Sequence, residues 1–252
     1  MNSAVGDDFG AIVGGLSNRI EGFASFIGGG SQNSADAPYA YVGAGEGNAA
    51  AASHGVVSGG RSNLALAKFS TIGGGISNNV TAVGGTISGG KLNVAAGLSC
   101  FVGAGKRNTL QGNFSSVVAG ADNSVGAKAT SSLIGAGLQN SIEGAYAVLV
   151  GGASNDVSGF YGVVGGGETN TVTANGTYSV VTGGGQNRAS AYYTFIGGGR
   201  QNTVEGSHSA IGGGSKNIVD SEYSTVGGGD SNSISAQGSH STISGGVDNV
   251  AT

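Results

Sequence analysis

Few residues of this chain have the types needed for acid–base chemistry. Among 252 residues there are ten Lys and Arg, fourteen Asp and Glu, three His and one Cys. The closest carboxylate pairs are Asp7/Asp8 and Asp220/Glu222, and we expect both pairs to be solvated charges. A glycosidase needs two carboxyl groups held about 5–10 Å apart around the bond that it cleaves. The sequence therefore predicts a protein that is not an enzyme and that uses no cofactor.

The spacing of the potential metal ligands also argues against a metal site. His208 and His240 lie two repeat units apart, which corresponds to about 10 Å between stacked strands, and His54 is distant in sequence. Calcium-binding solenoids place Asp within a Gly-Gly-x-Gly-x-Asp turn, whereas this chain places Asn after its glycines. Cys100 occupies a position predicted to be small and inward, so we expect a buried and unreactive thiol.

The composition excludes several classes of protein. Gly accounts for 54 residues and Pro for one, but Gly does not recur at every third position, which excludes a collagen helix. The net charge of -4 gives no reason to expect a nucleic-acid partner. Glycine or polar residues interrupt every apolar stretch before it reaches 18 residues, so no membrane insertion is predicted.

An asparagine follows each glycine cluster at a nearly constant spacing. The asparagines are Asn18, Asn33, Asn48, Asn63, Asn78, Asn93, Asn108, Asn123, Asn140, Asn155, Asn170, Asn187, Asn202, Asn217, Asn232 and Asn249. Their spacing is 15 residues, except for 17 in units 124–140, 171–187 and 233–249. In every unit Gly stands three residues before the Asn, and Ile, Val or Leu stands six before it. A period of 15 is too short for a helical hairpin repeat and fits one coil of a β-solenoid.

The repeat predicts an all-β fold: a parallel β-solenoid (a β-roll, left-handed) of about 16 coils with two short strands per coil. Residues 1–252 form a single repeat domain in this prediction. Alternation of inward and outward residues predicts one strand from each Asn to four residues after it, and another from nine to five residues before the next Asn. The two extra residues of the 17-residue units fall in the corner between these strands and form protruding loops.

The glycine corner predicts a second set of structural residues. The Gly three residues before each Asn is expected to adopt a positive φ, and the Asn side chains either form a ladder along the stack or act as ordinary turn-formers. The predicted corner and ladder residues include Gly15, Asn18, Gly30, Asn33, Gly75, Asn78, Gly167, Asn170, Gly229 and Asn232.

Aromatic residues concentrate at two outward positions, nine and seven residues before each Asn, and neither position ever holds a charged residue. The aromatic residues at these two positions are Phe9, Phe26, Tyr39, Tyr41, Phe69, Phe101, Phe114, Tyr146, Tyr161, Tyr178, Tyr193, Phe195 and Tyr223. Scattered exposed apolar residues are normal on a monomer, but a continuous strip indicates an interaction surface. We predict a homo-oligomer interface with threefold symmetry, and the alternative is an aromatic platform that binds sugars.

The repeat unit resembles those of known fibrous proteins. The segment Tyr223-Ser224-Thr225-Val226-Gly227-Gly228-Gly229-Asp230-Ser231-Asn232 is similar to repeats of trimeric autotransporter adhesin heads and to glycine-rich repeats of bacterial and phage tail fibres. The adhesin heads usually have 14-residue units with a single Gly after the Ile, whereas this chain has a Gly-Gly-Gly-x-x-Asn corner. The resemblance implies a structural, adhesive and trimeric fibre segment at a cell surface or on a virion, which binds a host glycan or protein.

The sequence fits two other functions less well than the fibre. The Asn-x-Val-x-Gly units also resemble those of a grass antifreeze protein, but bulky Phe and Tyr interrupt the outward residues Thr71, Thr86, Thr225 and Thr242 that an ice-binding face would need. A polysaccharide-cleaving tail spike is disfavoured because no cleft of carboxylates is predicted. The sequence also shows no polar cap at either end of the solenoid, so we expect either that the chain is part of a longer fibre or that copies stack end to end.

Overall fold

The computed structural model describes residues 1–4 and 9–252, and all regular structure in this part of the chain is β-structure. Because none of these residues lies in a helix, none of them belongs to a helical membrane span. The chain divides into two compact units, Met1–Asp122 and Asn123–Thr252.

In the described residues of the first unit there are sixteen strands of two residues each, numbered in chain order. They are β1 (Ser3–Ala4), β2 (Ala11–Ile12), β3 (Arg19–Ile20), β4 (Phe26–Ile27), β5 (Ser34–Ala35), β6 (Tyr41–Val42), β7 (Ala49–Ala50), β8 (Val56–Val57), β9 (Leu64–Ala65), β10 (Thr71–Ile72), β11 (Asn79–Val80), β12 (Thr86–Ile87), β13 (Val94–Ala95), β14 (Phe101–Val102), β15 (Thr109–Leu110) and β16 (Ser116–Val117).

The second unit contains seventeen strands of the same length. They are β17 (Ser124–Val125), β18 (Leu133–Ile134), β19 (Ser141–Ile142), β20 (Val148–Leu149), β21 (Asp156–Val157), β22 (Val163–Val164), β23 (Thr171–Val172), β24 (Val180–Val181), β25 (Arg188–Ala189), β26 (Phe195–Ile196), β27 (Thr203–Val204), β28 (Ala210–Ile211), β29 (Ile218–Val219), β30 (Thr225–Val226), β31 (Ser233–Ile234), β32 (Thr242–Ile243) and β33 (Val250–Ala251).

Every strand pairs in parallel with the strand two places further along the chain in the same unit. In the register of β10 with β12, Thr71 lies beside Thr86, one 15-residue coil later. In the 17-residue coil the register is kept, because Ser124 of β17 lies beside Ser141 of β19. Odd-numbered and even-numbered strands thus form two separate ladders in each unit. This confirms the predicted parallel β-solenoid of about 16 coils with two strands per coil.

A narrow aliphatic core runs inside each unit. The second residue of nearly every strand points inward, and Ile27, Ile72, Ile134, Leu149 and Ile196 have no exposed side-chain surface. Each such side chain contributes about 1.5–3 kcal/mol through burial. The first residue of each strand points outward, so the period-two alternation in the sequence is the signal that orients the strands.

The predicted strand bounds are wrong, because the strands are much shorter. In the coil that begins at Asn187 we predicted strands over 187–191 and 193–197, but β25 and β26 each span two residues. Tyr193 has φ 54. Its N–H donates backwards to Thr177 O of the preceding coil (3.0 Å), whereas Phe195 N–H donates forwards to Ser209 O (3.2 Å). The position nine residues before the Asn is therefore a left-handed turn residue and not a strand residue.

The residue just before each ladder asparagine is also left-handed, and this was not predicted. Gln186 has φ 58, and its N–H donates backwards to Glu168 O at 2.9 Å. One residue earlier, isolated parallel bridges such as Gly185 with Arg200 form a third line of pairing along the coils. Three changes of direction within 15 residues leave room for only short straight segments, which explains the two-residue strands.

Candidate functional site

The glycine corner fixes where each coil turns. Gly214, three residues before Asn217, has φ +89. A Cβ added to it would overlap Gly229 O of the next coil and would lie 2.8 Å from Asn217 Nδ2. The same positive φ occurs at the predicted corner residues Gly15, Gly30, Gly75, Gly167 and Gly229. Glycine is therefore required at this position both by the backbone conformation and by the close approach of the next coil.

The asparagine side chains form a ladder that joins successive coils. The Asn78 side chain donates through Nδ2 to Gly74 O of its own coil and to Gly90 O of the next coil, both at 3.0 Å. Its Oδ1 accepts from Asn93 N–H of the next coil at 3.0 Å. Asn78 is fully buried. Asn18, Asn33, Asn170 and Asn232 likewise donate to glycine carbonyls of two coils.

A second polar ladder, of serines, was not predicted from the sequence. Ser179 Oγ donates to Ala191 O at 2.8 Å and accepts from Thr194 N–H at 2.9 Å. Ser209 Oγ donates to Ser221 O at 2.8 Å and accepts from Ser224 N–H at 3.0 Å. The signal was the recurrence of Ser eight residues before the Asn, which we interpreted only as a small inward position. These bonds hold the turn that carries the aromatic residues.

The aromatic and histidine residues nine positions before each ladder asparagine form what we call the turn column. In the second unit its members Tyr146, Tyr161, Tyr178, Tyr193, His208, Tyr223 and His240 are stacked without interruption. Neighbouring ring centroids are 4.9–5.1 Å apart and neighbouring planes differ by 6–24°. This distance is close to the spacing of hydrogen-bonded strands, so the backbone ladder itself sets the stack.

The turn column is less regular in the first unit. Tyr39, His54 and Phe69 follow one another at 4.9 and 5.1 Å. Phe9 is not stacked face to face on the column but meets Phe23 edge to face, with centroids 5.9 Å apart. Gly84 and Ser99 then occupy the turn position, and Phe114 follows as an exposed ring.

The residues seven positions before each ladder asparagine form a separate strand column, since they are the outward residues of the even-numbered strands. Phe26 and Tyr41 stack in it at 5.4 Å, while Phe101 and Phe195 are partly exposed. Over residues 1–4 and 9–252, no ring contact joins the turn column to the strand column. The thirteen predicted strip residues therefore divide between two columns.

Three aromatic residues outside the predicted strip also belong to this surface. Phe23, Phe160 and Tyr192 stand ten residues before their ladder asparagines and are exposed. The Phe160 ring lies 4.5 Å from Tyr161 and 5.3 Å from Tyr146, centroid to centroid. They were not predicted because the second strand was expected to begin one residue later, at the position nine residues before the Asn. The pairs Phe160-Tyr161 and Tyr192-Tyr193 in the sequence were the available signal.

Stacking decides which part of each ring faces solvent. Rings inside the seven-membered stack pack both faces against their neighbours and present their edges, and the tyrosines remain 39–51% exposed. Ring edges carry partial positive charge and favour edge-to-face contacts with other aromatic rings. The column is therefore better suited to packing against a second protein surface than to stacking a sugar on an exposed ring face.

Charged residues lie outside both columns, and a few of them form exposed ion pairs. Arg19 pairs with Glu21 and with Asp36, the latter at 3.1 Å. Arg107 pairs with Asp122, and this hydrogen bond lowers the pKa of the Asp122 carboxyl. Such exposed pairs are strongly screened by water and salt. They therefore add little stability, and the absence of charge from the columns is the more informative feature.

Among the described residues, the catalytic and metal-ligand candidates form no group of metal-binding size. Asp220 and Glu222 are exposed, and Asp7 and Asp8 lie outside the described residues. Within the described part of the chain, no group of three or more His, Cys, Asp or Glu side chains has the proximity needed to hold a metal ion.

We predict that the Cys100 thiol is unreactive in the folded protein. The side chain is buried at a position of the serine ladder, and burial raises its pKa. The unfolded thiol therefore ionises first as pH rises, so stability is full below the ordinary thiol pKa and declines through the raised folded value. A disulfide reagent should label Cys100 only after denaturation, and Cys100→Ser, which matches Ser115, should remove this part of the alkaline destabilisation. Rapid labelling of the native chain would contradict the prediction.

Comparison with protein-family models finds no family that matches the chain, and comparison with curated protein sequences finds no match. The columns, the corners and the cavities between coils are therefore the basis for inferring a function.

Proposed function

We propose that this protein is a structural and adhesive fibre segment that assembles as a homotrimer through its aromatic columns, outside the cell or on a virion fibre. The observation that carries the proposal is the uninterrupted seven-ring turn column of the second unit. Its rings are ordered by the backbone and are half exposed, although the protein has only a narrow core of its own.

Burial of the columns against further copies is physically favourable. Nearly all aromatic side chains of the columns still expose much of their apolar surface, and burial of that surface contributes about 25 cal/mol per Å² before the entropic cost of association is subtracted. Neither column holds a charged side chain. Association therefore does not require any charged group of the columns to lose its hydration. Lys68 and Glu222, which directly precede turn-column residues in the sequence, are exposed and can stay hydrated at the rim.

A threefold arrangement is supported by the resemblance of the repeat to trimeric adhesin heads. Three parallel copies around one axis bring the same column of each copy to the centre, and cyclic symmetry closes the assembly. In such a trimer the remaining outward positions and the 17-residue loops stay available to a host glycan or protein.

Removal of aromatic rings from the turn column should dissociate the assembly. We expect the triple variant Tyr161→Ser, Tyr178→Ser, Tyr193→Ser to keep the solenoid, because Ser99 and Ser131 occupy the same left-handed position with φ 49 and 56. Association should weaken at least about 100-fold, since buried aromatic anchors dominate interface energies. Sedimentation velocity with circular dichroism measures both properties.

The matched control replaces exposed aliphatic residues away from the columns. Leu138→Ser and Ile218→Ser remove side chains that are 46% and 39% exposed and should leave the mass of the assembly unchanged. The aromatic interface would be contradicted if only the control variant lost the assembly, or if both variants kept it.

The second candidate function is ice binding, and one observation favours it. Thr71 pairs in register with Thr86, and Thr225 pairs in register with Thr242, so the strand column contains two short arrays of hydroxyl and methyl groups. Val56 and Phe101 adjoin the first array in the same ladder. A measurement of thermal hysteresis tests this candidate directly, and a clear freezing-point gap would favour it over the fibre.

A further inference from the structure

A polar cavity lies beside the extended turn of the 17-residue coil 171–187. Its volume is about 390 Å³, and it is lined by Thr173, Ala174, Asn175, Arg188, Ser190 and Glu205. We propose that this cavity binds one neutral pyranose unit of a glycan. The inference rests on the proposed adhesive function and names the site and ligand class that would perform it.

The cavity exists because of the two additional residues in this coil. Gly176 N–H donates to Thr173 O at 2.8 Å and closes a tight turn, with Ala174 and Asn175 exposed at its tip. Thr173, Ser190 and Glu205 are the third residues after successive ladder asparagines, so regular stacking places them one above another. The turn thus borders a column of polar side chains from three neighbouring coils.

The polar groups of the cavity are not used by the protein itself. Ser190 Oγ is buried and has no hydrogen-bond partner. In the described structure, no ion pair engages Arg188 or Glu205. The equivalent positions of the first unit behave differently, since Arg19 pairs with Asp36 at 3.1 Å. Arg188 and Glu205 therefore remain available to an external ligand.

A neutral sugar matches this set of groups. Each sugar hydroxyl both donates and accepts, while a guanidinium donates, a carboxylate accepts, and an amide or hydroxyl does both. One positive and one negative side chain line the cavity, so neither an acidic nor a basic ligand is favoured by net charge. The volume lies at the lower end of the roughly 300–1,000 Å³ typical of small-molecule sites, which suits a single ring of a longer glycan.

The other two 17-residue coils lack this combination. In coil 124–140 the Glu143 carboxylate lies over Gly126, where a side chain would otherwise project. In coil 233–249 the Ser235 hydroxyl donates to Gln237 Oε1 at 3.3 Å. The coil that follows each of them also lacks an Arg equivalent to Arg188, because Ser141 and Val250 stand there. These coils therefore provide controls within the same protein.

A larger cavity of about 530 Å³ in the same unit is lined by Glu168, Gly184, Gly185, Gln186 and Arg200. It differs because its lining contains no buried hydroxyl without a partner and no extended turn. Arg200 is therefore a control cation of the same unit that does not line the proposed site.

The test is titration of the full chain with galactose, glucose, mannose and N-acetylglucosamine, followed by amide chemical shifts, with glucuronic acid as a charged comparator. We expect saturable binding of at least one neutral sugar, with shifts at residues 173–176 and 188–190. Arg188→Ala and deletion of residues 174–175 should each weaken binding at least tenfold, whereas Arg200→Ala and deletion of residues 127–128 should leave it unchanged.

Three results would overturn the proposal: no binding of any neutral sugar, equal loss in the control variants, or preferential binding of glucuronic acid. Circular dichroism of every variant establishes that the solenoid is retained. Sedimentation of the same samples reports the trimer separately, so failure of sugar binding and failure of the proposed assembly are distinguishable.

Discussion

Gly214→Ala is expected to destabilise the second unit by about 4 kcal/mol or more. The left-handed backbone costs a residue with a Cβ roughly 1–2 kcal/mol, and overlap with Gly229 O must also be relieved by separating two coils. Because each coil forms backbone hydrogen bonds with the next, such a separation breaks the nearby hydrogen bonds of both strand ladders. Changes of this size are exceptional for single substitutions. Guanidinium denaturation followed by far-UV circular dichroism measures the effect.

Gly213→Ala is the matched control for that substitution. A Cβ added to Gly213 meets no atom within 4 Å, and Ala occupies the same position at Ala44, Ala104 and Ala136. We therefore expect a change within about 0.5 kcal/mol, as for ordinary surface substitutions. Equal destabilisation by the two adjacent substitutions would show that the corner does not require glycine at a specific position.

Asn78→Ala is expected to destabilise the first unit by about 3–6 kcal/mol. The substitution leaves Gly74 O and Asn93 N–H without these partners, at about 1–3 kcal/mol each. It also removes one of the two hydrogen bonds to Gly90 O, which keeps the bond from Ile76 N–H. Asn79→Ala, at the next residue, should be nearly neutral because Asn79 Oδ1 has no hydrogen-bond partner. Thermal and denaturant unfolding of the two variants compares a ladder asparagine with an adjacent one.

Asn78→Asp tests whether Asn78 is required for the asparagine ladder or serves only as a residue that favours turns. Asp forms turns about as readily as Asn, so a turn-former could be replaced with little loss. In the ladder the substitution removes both Nδ2 donors and directs a buried carboxylate at Gly74 O and Gly90 O, which costs several kcal/mol. We expect Asn78→Asp to be at least as destabilising as Asn78→Ala. Wild-type stability in the Asp variant would contradict the ladder account.

The architecture could be predicted from the sequence because the positions that tolerate few residue types recur at a fixed spacing in the repeat. The inward Ile or Val, the corner Gly and the ladder Asn recur at fixed spacing since each occupies a site where few residues fit. Ile72 and Gly75 could thus be assigned to core and corner from their spacing alone. The same repetition places like residues one above another, which is why an aromatic strip could be predicted, although its division into a turn column and a strand column could not.

The turns could not be predicted in the same way. Tyr193 and His208 adopt positive φ, which is unusual for bulky residues, and alternation alone placed them in a strand. Their cost is offset by N–H bonds to the preceding coil and by ring stacking, and both depend on neighbouring coils. The serine ladder was missed for a similar reason, because the partner carbonyl of Ser209 becomes apparent only when coils are stacked.

The measurement that tests the central claim most directly is sedimentation equilibrium of the unmodified chain. The chain mass is 24.1 kDa. Assembly through the aromatic columns predicts a particle of about three times that mass, which persists on dilution because the interface runs along the coils. A folded species with β-structure by circular dichroism and the mass of a single chain at all concentrations would contradict the account.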